Sequence, residues 1–291
     1  MIGLKVKLTF HWGFWVRAPY TSRYQSALPI PPPTTLIGAL VNPLISLGYA
    51  KLDGEVVLLS DDKQNVKKRK KSLNSIASPI VNFTDMIPTA SFYYYDNTTA
   101  YSYSDINRYI GLLYQSKTKE KEEEKAVGGR RYLPEYRFMG LKVGKVISPS
   151  SRCVACYLIN EGEASRILGY NWKDIIQIAA YNINRIGSKE SIVSVDSVSL
   201  VDDVKVTNPP TKIRTKCYIP LRCVDESLLE EHYHYYIETF WNGGWSKDKG
   251  AEYEDYLIPG SRSPISTKPI ELTLNEGKAY ELGEEEILVV A

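Results

Sequence analysis

Three consecutive prolines, Pro31-Pro32-Pro33, constrain this chain more than any other feature. Proline has no amide hydrogen and a fixed φ, so the run cannot lie inside a helix or in a central strand. It must be a boundary, and the residues on its two sides follow different periods. Before it, Leu4, Val6, Leu8 and Phe10 alternate with Lys5, Lys7 and Thr9. That alternation predicts a strand over Leu4 to Val16 with one apolar face, as in a half-buried edge or sheet strand, followed by a loop from Arg17 to Pro33. After it, Leu36, Ile37, Leu40 and Leu44 repeat at helical spacing, Thr34 and Thr35 are suitable N-caps, and Pro43 should kink or end the helix.

Leu52 to Leu59 reads as a second strand, Asp61 to Ser75 as a polar loop, and Phe83 to Tyr103 as strand-like. Lys117 to Lys125 is a mixed charge block with little to bury. Gly128-Gly129 breaks the chain, Arg130 to Tyr136 resumes it, and Val154 to Ile159 is another strand. Trp172 to Ile186 carries a helical stripe of Ile175, Ile176, Ala179, Ile183 and Ile186, with Gly187 as its C-cap. Ser191 to Val201 alternates Ile192, Val193, Val195, Val198 and Leu200 with small polar residues. The order strand, helix, strands, helix, strand predicts an α+β fold with a ferredoxin-like (RRM-like) sheet over residues 1–205. Residues 206–291, broken by Gly243-Gly244, Pro259-Gly260 and Pro264, predict a smaller β-rich C-terminal domain.

The net charge of +2 hides two opposite halves. Residues 1–145 hold 21 Lys and Arg against 12 Asp and Glu, whereas residues 146–291 hold 15 against 22. A basic half of this kind points to a polyanion partner. No run approaches the roughly 20 apolar residues that cross a bilayer, and Leu4-Lys5-Val6-Lys7 is no signal-peptide core, so no membrane partner and a cytoplasmic location are expected. Cys153, Cys156, Cys217 and Cys223 are too few to hold a chain this long by disulfides. Cys153 and Cys156 lie in a strand-like run where side chains three apart point to opposite faces, which argues against zinc and for core filling. No metal or cofactor is expected.

Of three histidines, His11 lies in the first strand, while His232 and His234 sit in an aromatic run and read as half-exposed packing partners. The common hydrolase and nucleotide-hydrolase signatures are absent, which weakens an enzyme reading. The stretch from Arg17 to Thr35 is more informative. Arg17, Tyr20, Arg23 and Tyr24 on a proline-stiffened loop lead into a helix N-terminus at Thr34 and Thr35, a place where amides and dipole favour phosphate and tyrosines can stack on bases. The alternative is a rigid crossover whose residues merely pack. A second candidate is Arg130-Arg131-Tyr132 behind two glycines, or else an ordinary turn. Arg185 and Lys189, in Arg185-Ile-Gly-Ser-Lys-Glu-Ser191, superficially form a phosphate loop, but after a helix C-terminus they serve as well to complement its dipole. The cluster Lys67-Lys68-Arg69-Lys70-Lys71 either grips nucleic-acid phosphates or is a solvated loop.

The stretch Ser26-Ala-Leu-Pro-Ile-Pro-Pro-Pro-Thr-Thr-Leu-Ile-Gly-Ala-Leu40 closely resembles the N-terminal signature of the fifth Cas family, a CRISPR-associated branch of the repeat-associated mysterious protein (RAMP) superfamily. Arg130-Arg-Tyr-Leu-Pro-Glu-Tyr136 and Arg185 to Ser191 agree with it, the latter being similar to archaeal type I-A members. The resemblance implies a ferredoxin-like RAMP domain with a thumb hairpin, from an insertion at about residues 60–130 by position, and a small C-terminal β domain. It implies a non-catalytic subunit capping the 5′ handle of CRISPR RNA (crRNA) in a Cascade surveillance complex for antiviral defence. The implied neighbours are the repeated backbone subunit, the large subunit, the crRNA and, through the complex, target DNA. One branch of the family cuts repeat RNA without metal, and no lysine–histidine pair after the thumb position matches that set. A metal-independent endoribonuclease using His232 or His234 with a tyrosine, and a protein-only adaptor of the same complex, are the two alternatives.

Overall fold

The computed structural model describes residues 1–19, 24–51, 79–95, 100–110, 138–228, 234–246 and 250–291. The strand expected over Leu52 to Leu59, the Lys67 to Lys71 cluster and the charge block at Lys117 to Lys125 lie outside them. The first alternating run forms β1 (Ile2–Phe10), whose Leu4, Leu8 and Phe10 are fully buried. With β4 (Thr89–Tyr94), β7 (Ser151–Ile159) and β8 (Val193–Val201) it makes an antiparallel sheet of order β4-β7-β1-β8. It is therefore an inner strand, and it ends at Phe10, well before the expected Val16. The chain bends at His11 and Trp12, then Gly13, at φ +130°, starts β2 (Gly13–Phe14) on a different sheet. Phe14 remains stacked near Phe10, with ring centroids 5.3 Å apart.

Helix α1 (Pro33–Ser46) follows the proline run, but its N-cap is Pro32, without a side-chain cap. Thr34 and Thr35 thus lie inside the helix, a correction to the expected caps. Proline at the first helical position needs no amide, so the run itself starts the helix. Pro43 neither ends it nor stops Leu44 from packing, and Leu36, Leu40 and Leu44 are fully buried in the same core as Leu4 and Leu8. The Tyr157 hydroxyl donates to the Leu36 carbonyl at 3.2 Å, tying helix to sheet.

Two further helices cover the same face. The sequence reading missed α2 (Glu161–Leu168), which Asn160 caps by accepting from the amides of Gly162 and Glu163. Helix α3 (Trp172–Tyr181) ends well before the expected Ile186. The Asn182 side chain donates to the Ile178 carbonyl, and Arg185 bridges to Ile192 as the chain turns into β8. Ile183 and Ile186 are buried, but in a loop, so Gly187 is a loop glycine at φ +104° and no helix cap. In β8 the register slips opposite Lys7 and Leu8, leaving Asp196 as a bulge. The bulge explains why the apolar positions step from Val195 to Val198.

Between β4 and β7 in the chain comes an antiparallel ribbon of β5 (Tyr101–Ile110) and β6 (Phe138–Ile147). Strand β6 also pairs with β2 and, in parallel, with β3 (Tyr24–Gln25). Gly144 makes that approach possible, because a Cβ there would lie 2.5 Å from the Ala27 amide nitrogen.

Among the described residues after β8, the chain is strands and two 3-10 turns. Hairpin β17 (Lys278–Gly283) and β18 (Glu286–Val290), extended by β9 (Lys205–Thr207), lies against the sheet face opposite the helices. There Val154, Cys156 and Leu158 of β7 pack with Leu282 and Leu288. Cys153 belongs to the helix-side core and Cys156 to this other one, as the strand reading required, and all four cysteines are buried and unpaired. Strands β10 (Thr211–Thr215) and β16 (Ile270–Leu274) pair over a third, smaller core. Strands β12 (Tyr235–Ser246) and β13 (Gly250–Pro259), joined by β11 (Ile219–Pro220), bring Phe240 and Tyr256 into the helix-side core. A short hairpin, β14 (Ser261–Arg262) and β15 (Ile265–Ser266), follows them.

The β12–β13 pair also half-buries two carboxylates, Glu238 near Arg262 and Glu254 near Arg222, at 2.9 and 2.7 Å. Burial raises both carboxyl pKa values more than the arginines lower them. A raised folded pKa means stability that is fully present below the unfolded pKa and lost as pH rises through the folded one. Glu254→Gln is therefore expected to match or exceed the parent in thermal stability at neutral pH, with the difference shrinking on acidification. A variant that is least stable at neutral pH would show that the ion pair outweighs burial.

Candidate nucleic-acid interface

A groove of about 400 Å³ runs between α1 and the loop that follows α3. Thr35, Gly38, Ala39 and Asn42 line one side, and Asn184, Arg185 and Gly187 the other, with Ile45 and Ile80 among the apolar lining. Thr35 and Arg185, distant in sequence and separately read as candidate RNA contacts, thus meet on one groove. Its helix side is open because Gly38 carries no side chain, and a Cβ there would meet nothing within 4 Å.

The loop is held firmly. Ile186 donates to Ser191 O at 3.1 Å, Ser188 donates to Trp15 O at 3.1 Å, and the Trp15 amide donates to Ser191 Oγ at 3.0 Å. Gly187 is required here, since a Cβ would sit 2.9 Å from Trp15 O. The Glu190 carboxyl is held below its ordinary range by a Ser188 hydrogen bond and its own backbone amide, with Lys189 and Lys145 adding to the effect. Lys145, on β6, was not singled out in the sequence; the placing of Lys142 and Lys145 among aliphatic residues after Leu141 was the available signal.

Arg17 is exposed on the strip Trp15 to Ala18, which pairs with Ser26 to Leu28 and runs beside this loop. Arg17, Arg185 and Lys189 are all exposed on this strip and loop, with the Glu190 carboxylate exposed beside them, so cations outnumber carboxylates there. Because α3 stops at Tyr181, Arg185 lies four residues beyond the helix end rather than in its last turn.

The helix N-terminus is a poorer anion site than expected. Pro33 has no amide, the amides of Thr35 and Leu36 donate to Pro32 O, and Thr34 is turned inward at 9% exposure. The Tyr218 hydroxyl donates to Pro31 O and buries the entrance further. Of the other candidates, Tyr24 is placed by its backbone beside Lys142, while Tyr20, Arg23, Arg130, Arg131, Tyr132, the Lys67 to Lys71 cluster and His232 lie outside the described residues. His11 places Nε2 2.8 Å from Ser194 Oγ, and His234 is exposed. Among the described residues no group of three His, Cys, Asp or Glu could hold a metal, and no helix is long and apolar enough to cross a membrane.

No protein-family model matches the chain. It is 30% identical over 291 residues, 99% of both chains, to "CRISPR-associated protein Cas5 3" of Saccharolobus solfataricus. It is 28% identical over 289 residues, again 99% of both chains, to that organism's "CRISPR system aCascade subunit Cas5 1". Its fold matches the crystal structure of a CRISPR protein from Archaeoglobus fulgidus with a TM-score of 0.57 at 20% identity, over 100% of both chains. The α+β architecture of mainly antiparallel sheets with three described helices is thus one already seen in a CRISPR protein. Similarity at this level along virtually the whole length identifies the chain as a member of the Cas5 family.

Proposed function

We propose that this protein is a non-catalytic subunit of a type I Cascade complex, assigned to subtype I-A by its loop at Arg185 to Ser191, and that it holds the 5′ handle of the crRNA. The observation that carries the reading is the meeting of Thr35 and Arg185 on one groove beside the exposed Arg17 and Lys189. Arginine can fork phosphate oxygens, while apolar walls with Asn42 and Asn184 suit an unstacked base and its polar edge. Full-length similarity to a protein named as an aCascade subunit supports the assembly part of the proposal. The order β4-β7-β1-β8, with α1 after β1 and α2 and α3 before β8, supports a ferredoxin-like RAMP core. The β5–β6 ribbon is then the stem of the thumb, and the strands after β8 the small C-terminal domain. In this assignment the repeated backbone subunit, the large subunit and target DNA are its neighbours in a cytoplasmic complex.

The test is binding and cleavage of a 5′-end-labelled, repeat-derived RNA by the chain alone and with its backbone partner, over a salt series without divalent metal. Binding that weakens with salt and leaves the RNA intact is the expected result. Cleavage that disappears in a His232→Ala, His234→Ala double variant would replace the proposal with an endoribonuclease. No binding in either format would leave a protein adaptor.

A further inference from the structure

Among the described residues, the sheet face opposite the helices is covered at one end only. Gly3 meets Leu282 there, Lys5 pairs with Glu286 at 2.8 Å, and the Tyr93 hydroxyl also bonds to Glu286. Lys7 and Thr9, further along the same face of β1, lie beyond the C-terminal hairpin and line a cavity of about 650 Å³ with Tyr95, Ser150, Arg152 and Asp196. We propose that this uncovered end is a second binding site, taking a segment of single-stranded nucleic acid, on the opposite side of the sheet from the groove beside α1. The inference goes beyond handle binding and does not depend on it.

Register lays the site out. Arg152 is the direct partner of Thr9, Thr9 that of Ser194, and the Tyr95 amide donates to Arg152 O at 2.9 Å. An aromatic ring, a guanidinium and two hydroxyls therefore form one row across β7, β1, β8 and the residue that follows β4. In the next row Lys7 is paired with Ser197, and its ammonium lies 5.4 Å from the Tyr95 ring centroid. Among the described residues no carboxylate lies within ion-pair distance of Lys7, in contrast with Lys5 on the same face. The serines on β8 keep the surface low, so a chain can approach the sheet. The Lys7 ammonium beside an exposed aromatic ring and small hydroxyls matches what single strands require, a charge for phosphate and a flat surface for a base. Among the described residues the one acidic side chain lining the cavity is Asp196, which accepts from Thr9 Oγ1 at 2.8 Å and opposes an anion.

The test uses the full chain with short fluorescent RNA and DNA oligonucleotides of identical sequence and a peptide of equal negative charge. Tyr95→Ala should weaken binding of at least one oligonucleotide by roughly fivefold to a hundredfold, the range for loss of one stacked base. Lys7→Ala should weaken it and lower the magnitude of its salt slope by about one. Asp196→Asn should strengthen it, an outcome that misfolding would not produce. The RNA and DNA arms assign the source, guide-like or target-like. Arg185→Ala, on the other face, should leave the losses caused by Tyr95→Ala and Lys7→Ala undiminished. Unchanged affinity for both oligonucleotides in all three variants overturns the proposal, as does a peptide that binds as tightly with the same dependence on Lys7.

Discussion

Arg185→Glu is expected to weaken binding of the repeat-derived RNA by about 2 to 3 kcal/mol, roughly 30-fold to 150-fold, while leaving thermal stability almost unchanged. The side chain is exposed at the rim of the groove, so its replacement removes no core contact. A charge-assisted hydrogen bond to phosphate is lost and a repulsion is added, so the salt dependence should also become shallower. Gly38→Leu separates this from general damage. Its Cβ enters open space, and leucine is a better helix former than glycine by up to about 1 kcal/mol, so the fold should hold or gain while the groove fills. If Gly38→Leu keeps both its stability and full RNA affinity, the groove is not where the RNA sits.

Gly13→Ala is expected to have the largest effect on folding, a loss of roughly 2 to 4 kcal/mol in urea-induced unfolding. Gly13 adopts φ +130°, and a Cβ on it would lie 2.0 Å from Val146 O and 2.9 Å from Ser148 N. Both neighbours are backbone, so neither can swing aside as a side chain would. Relief would require β2 to lift off β6, which would also pull Phe14 from its place beside Phe10. An unfolding midpoint equal to that of the parent would mean that β2 is not fixed to β6 as described.

Much of the framework was readable wherever one local rule acted alone. The alternation in β1 gave its buried face, the prolines gave the start of α1, and strand periodicity put Cys153 and Cys156 on opposite sides. Boundaries were less readable where two rules competed. The isoleucine stripe continued past Tyr181 because Ile183 and Ile186 are buried, yet the Arg185 to Ile192 bridge had already taken the chain out of the helix. Asn160 with Glu163 three residues later was a usable cap signal for α2, although only Ala164 and Leu168 of that helix are buried, too short a stripe to stand out.

For the candidate site, residue types could be read but their meeting could not. Arginine and threonine near turns marked Arg185 and Thr35 as able to bind an anion, because that depends on side-chain chemistry alone. That they share a groove depends on how α1 packs beside the loop after α3, a contact between segments far apart in the chain. Lys5 and Lys7 make the same point: the alternation put both on one face, and the sequence treats them alike. Only the position of the β17–β18 hairpin, held by Leu282 on Gly3 and by Glu286, neutralises the first and leaves the second uncovered. By itself, then, the sequence determined where α1 and α3 begin, roughly where the inner strands of the first sheet lie, which faces are apolar and which half is basic, since those follow from neighbouring residues. The tertiary structure alone decided which charged groups meet, because burial and pairing arise only when distant segments pack.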